Sequence, residues 1–196
     1  MRSTALPAPP GAQLHWPSTR PSACAAQQVE AVYEAHFDFV WRSARRLGTP
    51  AALLDDVVQE VFVVVQRRLP EFEGRSEIKT WLFAITRHVV RAHLRQHARQ
   101  RASIDELGEL EDVRTPDAES QLMADEDTRL LYALLDELDE DKREVFVLSE
   151  LEEMTGPAIA EALDLHLSNV YARVRMARQA FEAALKRHRA RQARSR

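Results

Sequence analysis

Apolar residues recur along this chain at the spacing of three and four that marks a helix with one buried face. Val29, Val32, Tyr33, His36, Phe37, Val40 and Ala44 form one such stripe, predicting a first helix from about Val29 to Leu47. Gly48 suits its C-terminal end, and Thr49-Pro50 reads as an N-cap followed by proline at the first helical position. Val57, Val58, Val61, Phe62 and Val65 mark a second helix, with Asp55, Asp56 and Glu60 on or beside its opposite face. Pro70 ends that run, and Pro-Glu-Phe-Glu-Gly-Arg-Ser predicts a loop. Ser76 is expected to cap a third helix, with Glu77 in its first turn. Ile78, Trp81, Leu82, Ile85 and Val89 form its apolar stripe, while Arg87, Arg91 and Arg95 stack at a spacing of four on another face.

The pattern fades over residues 102–126, where acids dominate, apolar positions are sparse and Pro116 interrupts; a short helix is expected near Asp117 to Asp127. It resumes with Leu130, Leu131, Leu134, Leu135 and Leu138, and then with Val145, Phe146 and Leu148 in a helix REVFVLSELEEM. Thr155 is placed to cap a short helix whose Ile159, Ala160 and Leu163 face inward, Ala160 being small enough for a close crossing. After Asp164-Leu-His-Leu167, Ser168 is expected to cap a second helix, with Val170, Val174 and Ala177 pointing into the core. This leaves Asn169, Tyr171, Arg173, Arg175 and Arg178 outside. A helix with a polar N-terminal end and basic flanks can enter a major groove, where Arg and Asn make paired bonds to base edges.

Strand-like alternation is missing and only five glycines occur, so the chain reads as all-α. The net charge of −4, from 27 Lys+Arg against 31 Asp+Glu, conceals segregation: acid collects from Asp105 to Asp141, base from Arg87 to Arg101 and from Arg173 onward. For nucleic-acid binding the local distribution outweighs the bulk value. Cys24 is the single cysteine, which excludes a disulfide framework and a thiolate cluster and fits the cytoplasm. No stretch suggests a signal peptide or a membrane span, so no membrane insertion is expected. The proline-rich residues 1–28, which include Trp16, bury too little to offset their ordering entropy and are expected to be disordered. No catalytic set, cofactor-binding loop or metal site stands out. His88, His93 and His97 share a helix with Arg87, Arg91, Arg95 and Arg99, whose charges oppose a divalent ion, and His36 reads as a core or boundary histidine. No enzyme activity and no cofactor are called for.

Certain of these segments resemble region 2 of the bacterial sigma factors, in the extracytoplasmic-function group of the sigma-70 family. They are Asp56-Val-Val-Gln59-Glu60-Val-Phe62, Phe72-Glu-Gly74-Arg75-Ser76, and Lys79-Thr80-Trp81-Leu82 running into Ile85-Thr86-Arg87-His88. Region 4 of the same family is similar to Glu144-Val-Phe-Val-Leu148, Ile159-Ala160-Glu161-Ala162-Leu163 and Ser168 to Arg178. The resemblance implies two small helical domains joined by a flexible acidic linker. It places region 2 at 29–101, the linker at 102–126, the region 4 helix-turn-helix at 127–190 and a basic tail at 191–196. The chain departs from the family pattern with Asp164 where glycine is frequent in the turn, His88 where asparagine is frequent, and Ala92 where aspartate is usual.

What the resemblance implies about function is specific. Asp56, Gln59, Glu60 and Phe62 would dock on the clamp coiled coil of the largest subunit of core RNA polymerase. Phe72, Gly74, Arg75 and Ser76 would form the loop that captures a flipped base of the −10 element. Lys79, Arg87, His88, Arg91 and Arg95 would lie along its backbone, and Trp81 would either stack on DNA or pack between helices. Ser168, Asn169, Tyr171, Arg173, Arg175 and Arg178 would read the −35 element. The linker would thread through the polymerase, and a helical anti-sigma partner would mask these surfaces. Two other classes remain: a stand-alone helix-turn-helix regulator, indifferent to charge swaps at Asp56 or Glu60, and a helical adaptor without salt-sensitive DNA affinity.

Overall fold

A computed structural model describes residues 23–106 and 126–194, with side chains from 27 to 100 and from 126 to 194. Every regular element among the described residues is helical. The first half holds α1 (Ala23–Arg46), α2 (Ala51–Arg68), a single 3₁₀ turn (Leu69–Glu71) and α3 (Ile78–Glu106). The second holds α4 (Glu126–Asp136), α5 (Glu140–Phe146), a π turn (Val147–Leu151), α6 (Gly156–Leu163) and α7 (Leu167–Arg194). No described helix is long and apolar enough to cross a membrane.

Several boundaries differ from those expected. Helix α1 begins at Ala23, so part of the segment 1–28 is helical. After Pro21 the run Ala-Cys-Ala-Ala-Gln-Gln contains good helix formers, which let the helix start early. Helix α3 passes Arg101 and continues to Glu106, just short of the helix-weakening Gly108. Helix α7 likewise runs through 190 to Arg194. Trp16, the acidic residues 107–125 with the short helix expected there, and residues 195–196 lie outside the described residues.

The capping residues shift too. Pro50, not Thr49, precedes α2, and the buried Thr49 hydroxyl caps nothing. Glu77 precedes α3, its carbonyl accepting from Trp81 N at 3.2 Å, so Ser76 stays in the loop. His166 takes the cap position before α7, accepting from Asn169 N and Val170 N, which places Ser168 inside the helix. Thr155 behaves as expected, accepting from Ala158 N at 3.4 Å. Asp139 caps α5, accepting from Lys142 N at 2.9 Å, and its carboxyl pKa is lowered first by the Lys142 ammonium and then by this backbone bond. The continuous helix expected through Met154 instead ends in the π turn, with Glu152 N bonded to Val147 O at 3.0 Å. Asp164 adopts φ 54° and ψ 53°, the left-handed geometry that its short polar side chain tolerates.

The apolar stripes do what their spacing predicts. Val40 and Ala44 of α1 meet Val57, Val61 and Val65 of α2 and Leu82, Ile85 and Val89 of α3 in a fully buried cluster. Tyr33 alone among the stripe residues of α1 remains largely outside. Phe83 and Val90, which lie off the expected stripe of α3, are also buried. With Thr86 and Leu94 they make a second stripe, so α3 lies against α1, α2 and α6 at once. The core therefore continues without a break into the second half, through Leu135, Val145, Leu148, Ile159 and Leu163. In α6 the buried small residue is Ala162, while Ala160 is half-buried and bonds Leu165 N through its carbonyl.

One guanidinium fixes how the halves meet. Arg143 Nε donates to Leu135 O at 2.8 Å, and Nη2 donates to Asp136 O at 3.3 Å and Leu138 O at 3.2 Å. Its Nη1 reaches Leu47 O at 3.3 Å, so carbonyls at the ends of both α1 and α4 gain a cationic donor. Nearby, Arg45 lies 4.7 Å from the centroid of the Tyr132 ring, and Arg46 pairs with Glu152. Gly48 makes this approach possible. Its φ is +96°, and a Cβ there would stand 2.0 Å from Arg143 Nη1. Gly48→Ala is therefore expected to cost at least about 1 kcal/mol of stability, from backbone strain plus displacement of Arg143. Urea unfolding followed by circular dichroism measures it; an unchanged midpoint would mean that Arg143 does not sit there in solution.

Candidate nucleic-acid interface

The loop between α2 and α3 is shaped by Gly74, whose φ of +68° turns the chain at its tip. Phe72 packs on Trp81 with ring centroids 5.0 Å apart and planes tilted by 41°. Both rings are half-buried, so Trp81 is held by Phe72 and still keeps an accessible face. Arg75 is 83% exposed on its side chain and pairs with its neighbour Glu73. Ser76 is partly covered, and Lys79 extends to within 5.8 Å of the Phe39 ring centroid. Two aromatic rings beside a loop tip that carries an exposed cation suit a base and its phosphate.

Along α3 the basic row divides. Arg95 and His88 are exposed. Arg87 and Arg91 are not free: the Nε of each lies 2.8 Å from Glu144 Oε1. The N–H groups are not aligned with that oxygen, so the contact is ionic more than a directed hydrogen bond. Arg91 also meets Glu140, and Asp141 at 3.4 Å. Only 2% of the Glu144 side chain is exposed. Burial raises its carboxyl pKa, opposed by the adjacent Arg87 guanidinium and then by the charge of Arg91.

On α2, Asp56 and Gln59 are exposed, while Glu60 turns toward α3 and bonds His93 Nε2 at 2.5 Å. Phe62 is a core residue, 8% exposed, whose ring lies 4.6 Å from that of Tyr33. Its edge, with Tyr33, Phe37, Val58, Gln59 and Val63, lines a groove of about 570 Å³ between α1 and α2. The expected docking set is thus split: Gln59 and Phe62 share the groove, and Glu60 is on a different side.

Helices α6 and α7 form the expected helix-turn-helix. Val170 and Ala177 are buried, and Ser168, Asn169, Ala172, Arg175 and Met176 are exposed. Tyr171, 59% exposed, crosses the start of α6 at Gly156, where a Cβ would come within 2.9 Å of its hydroxyl. The flanking arginines are engaged. Arg178 Nη2 lies 2.8 Å from Glu150, and Arg173 Nη1 lies 3.2 Å from Asp141. The face turned to solvent is therefore Ser168, Ala172 and Arg175, with Asn169 and Met176 beside it. The acids Glu140, Asp141 and Glu144 were not singled out by sequence as partners for the basic rows. Their spacing on one helical face was available as a signal; their partner was not.

Three comparisons fit this geometry. Sigma-70 region 2 matches residues 32–100, and Sigma-70, region 4 matches residues 128–181. A polymerase-directing factor with two promoter-facing regions is the class that this pair defines. The ECF RNA polymerase sigma-E factor of Haemophilus influenzae is 31% identical over 139 residues, 66% of this chain and 72% of that protein. The ECF RNA polymerase sigma factor SigC of Mycobacterium tuberculosis is 30% identical over 155 residues, 79% of this chain and 82% of that protein. Among solved structures, CnrH in complex with the cytosolic domain of CnrY gives a TM-score of 0.60 at 26% identity, covering 83% of this chain and 94% of that one. The sigma factor RpoE in complex with the anti-sigma factor NepR from Bartonella quintana gives 0.65 at 22%, covering 84% and 98%, and shows a shared fold. The chain belongs to the ECF RNA polymerase sigma factors of the sigma-70 family.

The Phe72–Trp81 contact can be tested directly. With Trp16 and Trp41 replaced by phenylalanine, Phe72→Ala is expected to shift Trp81 emission to the red as the indole gains water. Identical spectra would mean that the rings do not touch in solution.

Proposed function

We propose that this chain brings core RNA polymerase to promoters with both −10 and −35 elements, works in the cytoplasm without catalysing a reaction itself, and is held inactive by an anti-sigma partner. The solved complexes of CnrH with CnrY and of RpoE with NepR support the last point. Asp56, Gln59 and Glu60, with the groove edge at Phe62, are the surface for the polymerase clamp. Phe72, Gly74, Arg75 and Ser76 receive a flipped −10 base, whose unstacking costs a few kcal/mol, with Trp81 beside them. Lys79, Arg87, His88, Arg91 and Arg95 hold the adjoining backbone. In the −35 major groove Ser168, Asn169 and Arg175 face base edges, while Tyr171, Arg173 and Arg178 lie toward the flanking phosphates.

The observation that carries this reading is the pairing of two family regions in order on one chain, the second with an outward helix face of small, polar and cationic residues. A regulator using only the helix-turn-helix would leave region 2 without a role. The test is transcription in vitro by core polymerase on fragments of the source genome. Promoter-specific transcripts are expected only when this chain is added; none at all on any fragment would reject the proposal. Arg175→Ala is expected to weaken −35 protection by about 1–3 kcal/mol with core binding intact. Asp56→Arg is expected to lower core affinity and leave the fold unchanged, as read by co-elution with core polymerase.

A further inference from the structure

Among the described residues, the exposed large hydrophobic side chains fall in two places. Leu167, Tyr171 and Met176 are on α7, and Tyr33 and Val63 both line the groove between α1 and α2. The Tyr33 ring lies 4.6 Å from that of Phe62 and 5.2 Å from that of Phe37, so the groove is aromatic at its centre. Gln59 and Gln66 offer side-chain amides along the α2 rim. Asp55 lines one end, and the exposed Glu30 and Glu34 stand beside Val29 and Tyr33, so the margin is acidic. Val29 precedes residue 32, where the region 2 match begins, so the groove extends past the family region.

We propose that this groove receives the chain's own N-terminal segment, with Leu14 and Trp16 as its anchors. Residues 1–22 precede the described residues; they contain Arg2 and Arg20 and no acid, the complement of the acidic margin. Leu14 and Trp16 lie between Pro10 and Pro17, a setting that favours extended backbone and reduces the entropy lost on docking. An extended proline-rich strand in an aromatic-lined groove is a general mode of peptide recognition, and here the glutamine amides can serve its carbonyls. The reach is sufficient. Tyr33 lies ten residues into α1, about 15 Å along its axis. The seven steps from Trp16 to Ala23 span up to about 24 Å, so the chain can turn back and set the indole between Tyr33 and Val63. A segment too poor in apolar residues to build a core needs none where the groove supplies the apolar surface. The groove shares Gln59 and Phe62 with the surface assigned to the polymerase clamp, so the docked segment competes with polymerase; this consequence rests on that assignment. Being tethered, the segment acts at an effective concentration on the order of millimolar, so weak docking suffices.

In the full chain with Trp41→Phe and Trp81→Phe, Trp16 is the only indole. Its emission is expected to be blue-shifted, shielded from acrylamide and independent of protein concentration. Val63→Lys sets a cation in the groove against the basic segment, at an exposed position that carries little risk to folding. It is expected to shift the emission to the red and to raise quenching, as is Tyr33→Ser, with circular dichroism unchanged in both. In the otherwise unaltered chain, Trp16→Ala and Val63→Lys are each expected to tighten binding to immobilised core polymerase about fivefold, the gain when a state populated at about 20% becomes the whole. A hydrated Trp16 indifferent to Val63→Lys overturns the docking. A shielded Trp16 indifferent to both groove variants overturns this groove as its site. A blue shift that grows with concentration overturns the intrachain contact in favour of a second copy. Shielding lost in the variants without any gain in core affinity overturns the competition. Asp56→Arg tells that failure apart from a failure of the clamp assignment: if it too leaves core affinity unchanged, polymerase does not use this face.

Discussion

Arg143 holds carbonyls from two helix ends that belong to different halves of the chain, and the arrangement of the rest follows from that grip. A helix leaves its last carbonyls without partners, and burying them unpaired is costly. By pairing Leu47 O with the carbonyls of Leu135, Asp136 and Leu138, one planar fork offsets that cost for α1 and α4 together. The grip brings Arg46 to Glu152 and Arg45 to Tyr132 on one side. On the other, α5 is carried over α3, and the acids meet the basic row.

Apolar burial supplies the force that this polar contact orients. A helical region of well under a hundred residues buries little surface by itself. Joining the halves adds the second stripe of α3, with Phe83 and Val90, to the core. The same joining makes the surfaces that identify the family only partly available. Arg75, Arg95, Ser168 and Arg175 remain open to solvent, whereas Arg87 and Arg91 are paired across the halves; Arg173 is paired within the second half alone.

The helices and the two-region organisation were legible in the sequence because each depends on local spacing. The stripes of α1, α2 and α3, the Thr155 cap and the left-handed Asp164 all follow from interactions within a few residues. Caps at Thr49, Ser76 and Ser168 were misplaced for a related reason: a favourable side chain lay one or two positions from where the helix starts. The mutual packing of the halves was not legible. Glu144 lies 57 positions from Arg87, and nothing local distinguishes an acid that will be buried from one that will be solvated. The second stripe of α3, at Phe83, Thr86, Val90 and Leu94, was one available hint, since a helix with two buried sides needs two partners.

The points where α3 stops and α4 starts set a mechanical limit. Nineteen residues, 107–125, separate Glu106 from Glu126, and a chain of that length spans at most about 65 Å when taut. Base pairs rise 3.4 Å each, so that tether reaches across roughly one and a half to two turns of duplex. The continuation of α3 to Glu106 adds a rigid arm at one end, trading slack for direction. The separation of those two helix ends is thereby bounded from above, whatever path the residues between them take.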